Sequence, residues 1–349
     1  MNAASGVLLP DFIAVGPPRT ATTWLERVLE GHVGLPAGIK ETDFFGKHYQ
    51  LGLQWYAAHF RGLDRTRPLG EICPVYFDSP AARDRIARYI PRCRIICTLR
   101  DPVERLYSHY RLLRREGWLG PITLEAALAK DLTWSGPGNL HGSNRYAAHV
   151  RGWRETFGAD NVLVMLHDDL IANPNDYLAR VCAFVGIAAF TLPEGRARER
   201  VNTVERAPAN PWIARRARKL RESLIRRRMY KILHACQPLW DFCSGRGDPF
   251  PPLDPALEAR LRASLRPEVE ALEDLLHRDL SNWKESGPCN DPEQREHSTE
   301  KSNASTTVKK HDAEKITAAR RVRPPRKSPP PPRFRSPYSP DRCATIAAP

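Results

Sequence analysis

The stretch that most limits what this chain can fold into is Asp11 to Glu30, DFIAVGPPRTATTWLERVLE. Phe12 to Val15 is a short apolar, β-favouring run bounded by turn residues, and Trp24, Leu25, Val28 and Leu29 then recur at helical spacing. Between them GPPRTATT must turn tightly. Gly16, Pro17 and Pro18 end the strand, while Thr20, Thr22 and Thr23 gather hydroxyls and backbone N–H groups at the positive end of the new helix. Strand, turn and helix in that order make an anion cradle. Arg19 adds a permanent, forked cation at its lip, suited to phosphate or sulfate oxygens. The same residues also suit a helix that is merely well capped, because Thr and Pro are ordinary at helix starts.

A second unit of the same kind follows in CRIICTLRDPVERLYSHYRLLRREG. Ile95 to Leu99 reads as a buried strand, Arg100 stands at its end, Asp101 can cap, and Pro102 takes a first-turn position, so that Arg105, Ser108 and His109 project near one helix face. A helix over 144–157, a strand over VLVMLHDDL (162–170) and a helix over 174–185 closed by Gly186 make a third alternation. GEICPVYF, from Gly70 to Phe77, holds a Pro that limits any strand there to a few positions. Such alternation predicts an α/β fold with a mostly parallel central sheet flanked by helices on both faces. Ligands of such sheets lie at the carboxyl ends of the strands, where Arg19 and Arg100 both fall. Further helices are expected over 81–90, over the basic stretch 212–233, and over 253–280 as a pair or one bent helix, with DLSNW closing the folded part.

Composition narrows the class. Of 349 residues, 41% are hydrophobic, enough for a sizeable core. No run approaches the ~18 apolar residues of a membrane span, and the start lacks a basic segment followed by an apolar one, so a soluble, unexported, cytoplasmic protein is expected. Eight cysteines at irregular spacing, none in a C-x-x-C, signal neither a zinc site nor a disulfide framework, and no metal is called for. The net charge of +14 is concentrated: residues 196–231 carry 13 Lys and Arg against three Asp and Glu, and 285–349 carry 13 against eight. Such patches attract nucleic acid, anionic lipid or an acidic small molecule. The final stretch holds 11 of the 32 prolines and few aliphatics, so a folded domain over 1–284 and a disordered Pro- and Lys/Arg-rich tail over 285–349 are expected.

With both strand-turn-helix units in hand, the chain resembles the sulfotransferases that use 3′-phosphoadenosine 5′-phosphosulfate (PAPS). GPPRTATTWL is similar to their 5′-phosphosulfate loop, G-x-x-K-x-G-T-T-x-L, and RDPVERLYSHY to their 3′-phosphate motif, R-D-P-x-x-R-x-x-S-x-Y. KETDFF at 40–45 resembles the K-E-x-H-F-F segment of the carbohydrate-sulfating, heparan-sulfate-type branch. GEICPVYF resembles the E-K-x-P-x-Y-F segment that follows there, and the likeness extends over residues 11 to 284. It implies a P-loop-like three-layer fold. It also implies that Arg19, Thr20, Ala21, Thr22, Thr23 and Trp24 line the 5′ end of PAPS, that Arg100 and Ser108 hold the 3′-phosphate, and that Glu41 is the general base, with Arg19 and Lys40 beside the transferring group. The chemistry agrees with these residue types, since sulfuryl transfer spreads charge over oxygens that fixed cations and N–H groups can meet, and an acceptor hydroxyl must lose a proton. Arg100 also suits a surface ion pair with Asp101 or Glu104, and Glu41 a solvated loop.

Four departures from the family pattern stand out: Arg19 for Lys, Ala21 for Gly, Asp43 for His and Ile72 for Lys. The last two put acceptor contacts in doubt. The expected acceptor is a saccharide or glycolipid hydroxyl, with a small-molecule or phenolic hydroxyl as the alternative. The basic 196–231 stretch is placed to draw an acidic sugar or to touch anionic lipid, or is an ordinary solvated helix face. A P-loop kinase would need a Lys before Ser or Thr, which the turn lacks. A nucleic-acid-binding protein would leave both strand-turn-helix units unexplained, so no nucleic-acid partner is expected.

Overall fold

The structure, a computed structural model, describes residues 7–129, 140–197, 204–245 and 247–285. They lie in the first of two units into which the chain divides, 1–288; apart from Glu285, the tail expected over 285–349 lies outside the described residues. The elements run β1 (Phe12–Ala14), α1 (Thr22–Leu29), α2 (Leu53–Ala57), β2 (Gly70–Ile72), α3 (Pro80–Tyr89), β3 (Arg94–Leu99), α4 (Pro102–Arg115), α5 (Leu124–Ala129) and α6 (Tyr146–Phe157). Then come β4 (Val162–Leu166), α7 (His167–Ala172), α8 (Pro174–Val185), α9 (Glu194–Ala197), α10 (Pro211–Arg226), α11 (Tyr230–Ser244) and α12 (Pro255–Leu276).

All four strands are parallel, in the order β2-β1-β3-β4. Their side chains alternate between two buried faces. Ile13, Ile95, Cys97 and Leu99 pack with Ile86 of α3, Val150 and Trp153 of α6 and Leu272 of α12. Phe12, Ala14, Ile72 and Ile96 pack with Trp24, Leu25 and Leu29 of α1 and Leu178, Val181 and Val185 of α8. The short apolar strands are therefore covered on both sides, which is why they show no polar alternation in sequence. Ile72, where the family pattern has Lys, is one of these core residues.

Five of the helices, α3, α4, α8, α10 and α12, start by one recurrent device, a short polar cap followed by proline. Ser79–Pro80, Asp101–Pro102, Asn173–Pro174, Asn210–Pro211 and Asp254–Pro255 each accept from backbone N–H groups of the first turn, at the position where proline's missing donor costs nothing.

Two expectations about elements need correction. The strand expected over 162–170 ends at Leu166, and His167 opens α7 with Asp168 and Asp169 in its first turn, where carboxylates suit the helix dipole. The basic helix expected over 212–233 is two helices. Arg228 sits at φ 55° and breaks them, a left-handed position with no Gly to announce it, and α11 runs on to Ser244 across Pro238. Of the two arrangements expected over 253–280, the structure has the single helix, α12, which contains Pro267 and stops where His277 turns left-handed at φ 51°. The closing segment is anchored as expected of a folded end: Trp283 is buried and its indole N–H donates to Asp168 at 2.7 Å. No described helix is long and apolar enough to cross a membrane.

Candidate active site at the switch point of the sheet

In the order β2-β1-β3-β4 the chain leaves β1 toward one side and returns past it to β3, so the crevice for a ligand opens at the carboxyl ends of β1 and β3. The turns after those two strands carry the two predicted phosphate-binding motifs.

Within the first turn Gly16 lies hard against β3. A Cβ there would sit 2.0 Å from Thr98 Oγ1 and 2.3 Å from the Thr98 carbonyl oxygen, so only glycine lets the two strand ends approach this closely. Thr98 also binds Thr20, whose hydroxyl lies 2.7 Å from Thr98 Oγ1 and donates to the Pro17 carbonyl at 2.8 Å. Thr20 is buried, and its side chain serves the turn; what it can offer an anion is its backbone N–H. Trp24 likewise turns its ring into the core, edge-on to Tyr177 at 5.7 Å between centroids. The apolar surface of the indole thus packs on the core face of α1.

Arg19 and Ala21 both have positive φ, 81° and 66°, and Ala21 is the N-cap of α1 without any side-chain cap bond. Turns that alternate hand in this way make the backbone concavities in which anions are held. Two L-residues kept left-handed within three positions store strain of about 1–3 kcal/mol each, a cost that accumulates at functional turns. Ala21→Gly is expected to raise stability by about 0.5–1 kcal/mol by removing one of them, read as a higher denaturant midpoint; a lower midpoint would show that the strain is not there.

Two hydrogen-bond chains then bring the predicted residues together. Arg19 Nε donates to Ser108 Oγ at 2.8 Å, tying the first turn to α4. Lys40 Nζ donates to Thr23 Oγ1 at 2.8 Å, reaches Thr22 Oγ1 at 3.5 Å, and forms an ion pair with Glu41 Oε1 at 3.1 Å. Arg19, Thr22, Thr23, Lys40, Glu41 and Ser108 therefore surround the start of α1. Arg100 is at the end of β3, and its Nε and Nη2 both donate to Glu104 Oε2, at 3.1 and 2.9 Å. The ion pair allowed by the sequence is present with Glu104. Asp101 caps α4 and pairs with the buried Arg262 at 2.8 Å; burial lifts its carboxyl to about 6 against the pull of Arg262. Arg105, also in the second motif, is wholly buried and donates to Asn144 Oδ1 at 2.9 and 2.6 Å, so it braces the chain ahead of α6.

Glu41 is held in place by a neighbour that sequence reasoning passed over. Glu71 on β2 is fully buried. Its Oε1 accepts from the Thr42 hydroxyl, from the Thr42 N–H at 3.3 Å and from Tyr76 OH at 3.2 Å, and its Oε2 accepts from Tyr56 OH at 2.7 Å. This cage pins Thr42, the residue after Glu41, to the sheet. Burial raises the Glu71 carboxyl above the usual range in spite of its donors. The signal was in GEICPVYF, a carboxylate in an otherwise apolar strand. Asp43 follows in a left-handed conformation, φ 47°, and accepts from the Lys47 N–H at 3.2 Å. Burial, with Glu41 and Glu71 adding, lifts its carboxyl to about 7, against the Lys47 N–H and ammonium. Burial lifts Glu26 on α1 to about 7 as well, with Lys40 opposing and Glu41 adding.

A carboxyl whose folded pKa exceeds its unfolded one binds its proton more tightly when folded. Between about pH 4 and 7 such a carboxyl holds its proton more fully in the native chain than in the unfolded one, so its own contribution to stability falls as pH rises through that window. Asp43→Asn should remove this share of the slope: the wild-type melting temperature should gain on the variant's as pH drops from 7 to 5. A constant difference would mean that Asp43 does not titrate there.

The far wall belongs to α4 and α10. Burial raises the Glu116 carboxyl, with Arg221 and Arg19 opposing and Glu41 adding, so Glu116 lies within electrostatic range of the cradle. Arg221 pairs with Glu116 at 3.7 Å, Lys47 with Glu222 at 3.0 Å, and the Arg218 guanidinium lies 3.9 Å over the Trp118 ring. The basic stretch therefore does border the site, through cations that are largely tied to acidic and aromatic neighbours.

The candidate site is thus an arginine-bearing turn with a flanking carboxylate at the switch point of a parallel sheet. The sulfotransferase-domain family model matches residues 9–206, and the chain belongs to that family. Over 200 residues it is 30% identical to the bifunctional heparan sulfate N-deacetylase/N-sulfotransferase 2 of Bos taurus, covering 52% of this chain and 22% of that protein. Over 106 residues it is 35% identical to the membrane-associated sulfotransferase kil1 of Dictyostelium discoideum, covering 29% of this chain and 22% of that one. The chain thus spans about a fifth of the length of these curated relatives. A sulfotransferase from Alicyclobacillus acidocaldarius shares the fold with a TM-score of 0.58 at 22% identity, over 80% of this chain and 100% of that one.

Proposed function

We propose that the protein transfers the sulfuryl group of PAPS to a saccharide, at a hydroxyl or an amine. The observation that carries this is the 2.8 Å bond from Arg19 Nε to Ser108 Oγ, which closes the β1 turn onto the helix bearing the second motif, with the Lys40–Glu41 pair resting on Thr23 beside it. The arrangement suits a ligand with anionic groups at two ends. The left-handed turn, its N–H groups from Thr20 to Thr23, and Arg19 would hold the 5′-phosphosulfate; Arg100 and Ser108 would hold the 3′-phosphate, Arg100 sharing or exchanging its bond to Glu104. PAPS supplies an activated sulfuryl group and a phosphate leaving group. Lys40 lies where it can steady charge on the transferring oxygens, and Glu41 is the base that takes the acceptor's proton.

Saccharide acceptors are supported by the KETDFF segment and by relatives whose names specify heparan sulfate; the N-sulfotransferase in those names is the reason an amine stands beside a hydroxyl. Arg218 and Arg221, the α10 cations that border the site, suit an acidic sugar.

Thermal melts with PAP, ADP and AMP test the donor. At a hundred times its dissociation constant PAP should add ~2.7 kcal/mol of stability, and AMP at the same concentration far less. Arg100→Ala should erase the preference for PAP over AMP while leaving AMP's own shift. Equal shifts from PAP and AMP in the wild type would overturn the PAPS assignment, and a preference that survives Arg100→Ala would overturn the role of Arg100.

A further inference from the structure

Helices α10 and α11 form a hairpin that combines dense positive charge with exposed apolar bulk. The backbone N–H of Asn210 donates to the Ser244 carbonyl at 3.1 Å, so the start of α10 lies beside the end of α11 and the two run antiparallel. Between Pro211 and Ser244 there are nine Lys and Arg against Glu222 and Asp241. Among the described residues, six of the seven large hydrophobic side chains that stand exposed are on this hairpin: Trp212, Leu220, Met229, Ile232, Leu239 and Phe242, with Phe242 at 83% exposure. Ile232, Leu239 and Phe242 recur at i, i+7 and i+10, on one face of α11, while Leu233 is buried on the other. On α10, Ala214 and Leu224 are buried and Trp212, Arg216 and Leu220 follow one another at i, i+4 and i+8 on the outer side, the Arg216 guanidinium 3.7 Å over the Trp212 ring.

We propose that this hairpin is a docking surface for an anionic lipid bilayer, lying in the interface with the Trp212, Leu239 and Phe242 side chains entering the acyl boundary. Large aromatic and aliphatic side chains interleaved with long cations are what interfacial helices carry, the cations reaching up to headgroups while their stems cover apolar surface. Charge selects the occupant. A second copy of the chain would bring an equally positive hairpin against this one, and the chain's own 285–349 segment carries 13 Lys and Arg against eight acidic residues. Both repel it; an anionic membrane attracts it. The proposal stands apart from the donor and acceptor chemistry, because it concerns the outer side of the hairpin and not the wall that faces Glu41.

The test is sedimentation of the full chain with phosphatidylcholine vesicles that contain phosphatidylserine and with pure phosphatidylcholine vesicles, together with light scattering in the absence of lipid. Binding should favour the anionic vesicles and weaken as salt is added. Leu239→Ser with Phe242→Ser should lower the partition coefficient at least tenfold. Arg216→Gln with Lys219→Gln should lower it about fivefold for each cation removed, and both pairs should melt as the wild type does. Equal binding to the two vesicle types, or binding unchanged by either pair, would overturn the proposal. So would a dimer that Leu239→Ser with Phe242→Ser dissociates, or an acidic protein that competes the chain off anionic vesicles through a site insensitive to both pairs.

Discussion

Glu41→Gln is expected to lower turnover by about 10²- to 10⁴-fold, ~3–5 kcal/mol of transition-state stabilisation, while PAP binding stays within about twofold of the wild type. The substitution keeps the shape of the side chain and removes its ability to accept a proton. Lys40 loses an ion pair of 3.1 Å but keeps its bond to Thr23, so the wall of the cradle should stand. Thr42 remains caged against Glu71, which holds the backbone that positions residue 41. The assay is PAP released from PAPS with an acidic saccharide that the wild type accepts, beside the PAP-induced melting shift. Normal turnover would remove Glu41 as the base; lost turnover together with a lost PAP shift would mean that the substitution had damaged the cradle instead.

Gly16→Ala is expected to cost about 3 kcal/mol of stability, the upper end of what overpacking does, and to abolish the PAP-induced shift. The added methyl would meet Thr98 at 2.0 Å from its hydroxyl, 2.3 Å from its carbonyl oxygen and 2.6 Å from its nitrogen. Two of those atoms are backbone of the central strand β3, which is paired on both sides and cannot retreat. The turn would have to move, breaking the Thr20–Thr98 contact and dragging Arg19 from Ser108. Denaturant melts of the variant and of Thr98→Ala divide the effect between the clash and the hydroxyl pair. A variant as stable as the wild type, still responding to PAP, would show that β1 and β3 can part without consequence for the cradle.

Much of the site was readable as local chemistry. GPPRTATT and RDPVERLYSH each combine a strand end, a turn and a helix start, and those need only neighbours in sequence to form; the structure has both, with Pro102 opening α4 and Asp101 capping it. The Lys40–Glu41 segment was recognisable by its resemblance alone, since nothing local distinguishes it from a solvated loop. The break at Arg228 was unreadable because a left-handed arginine bears no composition signal, and the helix beyond it was hidden by Pro238. The edge contact of Trp24 with Tyr177 was unreadable as well, because α1 meets α8 only in the folded chain.

The sequence by itself determined the two strand-turn-helix units, the parallel strand-and-helix alternation and the family, because each rests on residues close in the chain whose dihedral preferences and caps act locally. Only the tertiary structure decided that Thr98 makes Gly16 obligatory, that Arg19 reaches across 89 positions to Ser108, and that a buried Glu71 with two tyrosines anchors the loop of Glu41. Those are contacts between elements distant in sequence, created when the sheet order β2-β1-β3-β4 brings β1 beside both its partners, and that adjacency is set by how the two apolar faces are covered and not by any short stretch of residues.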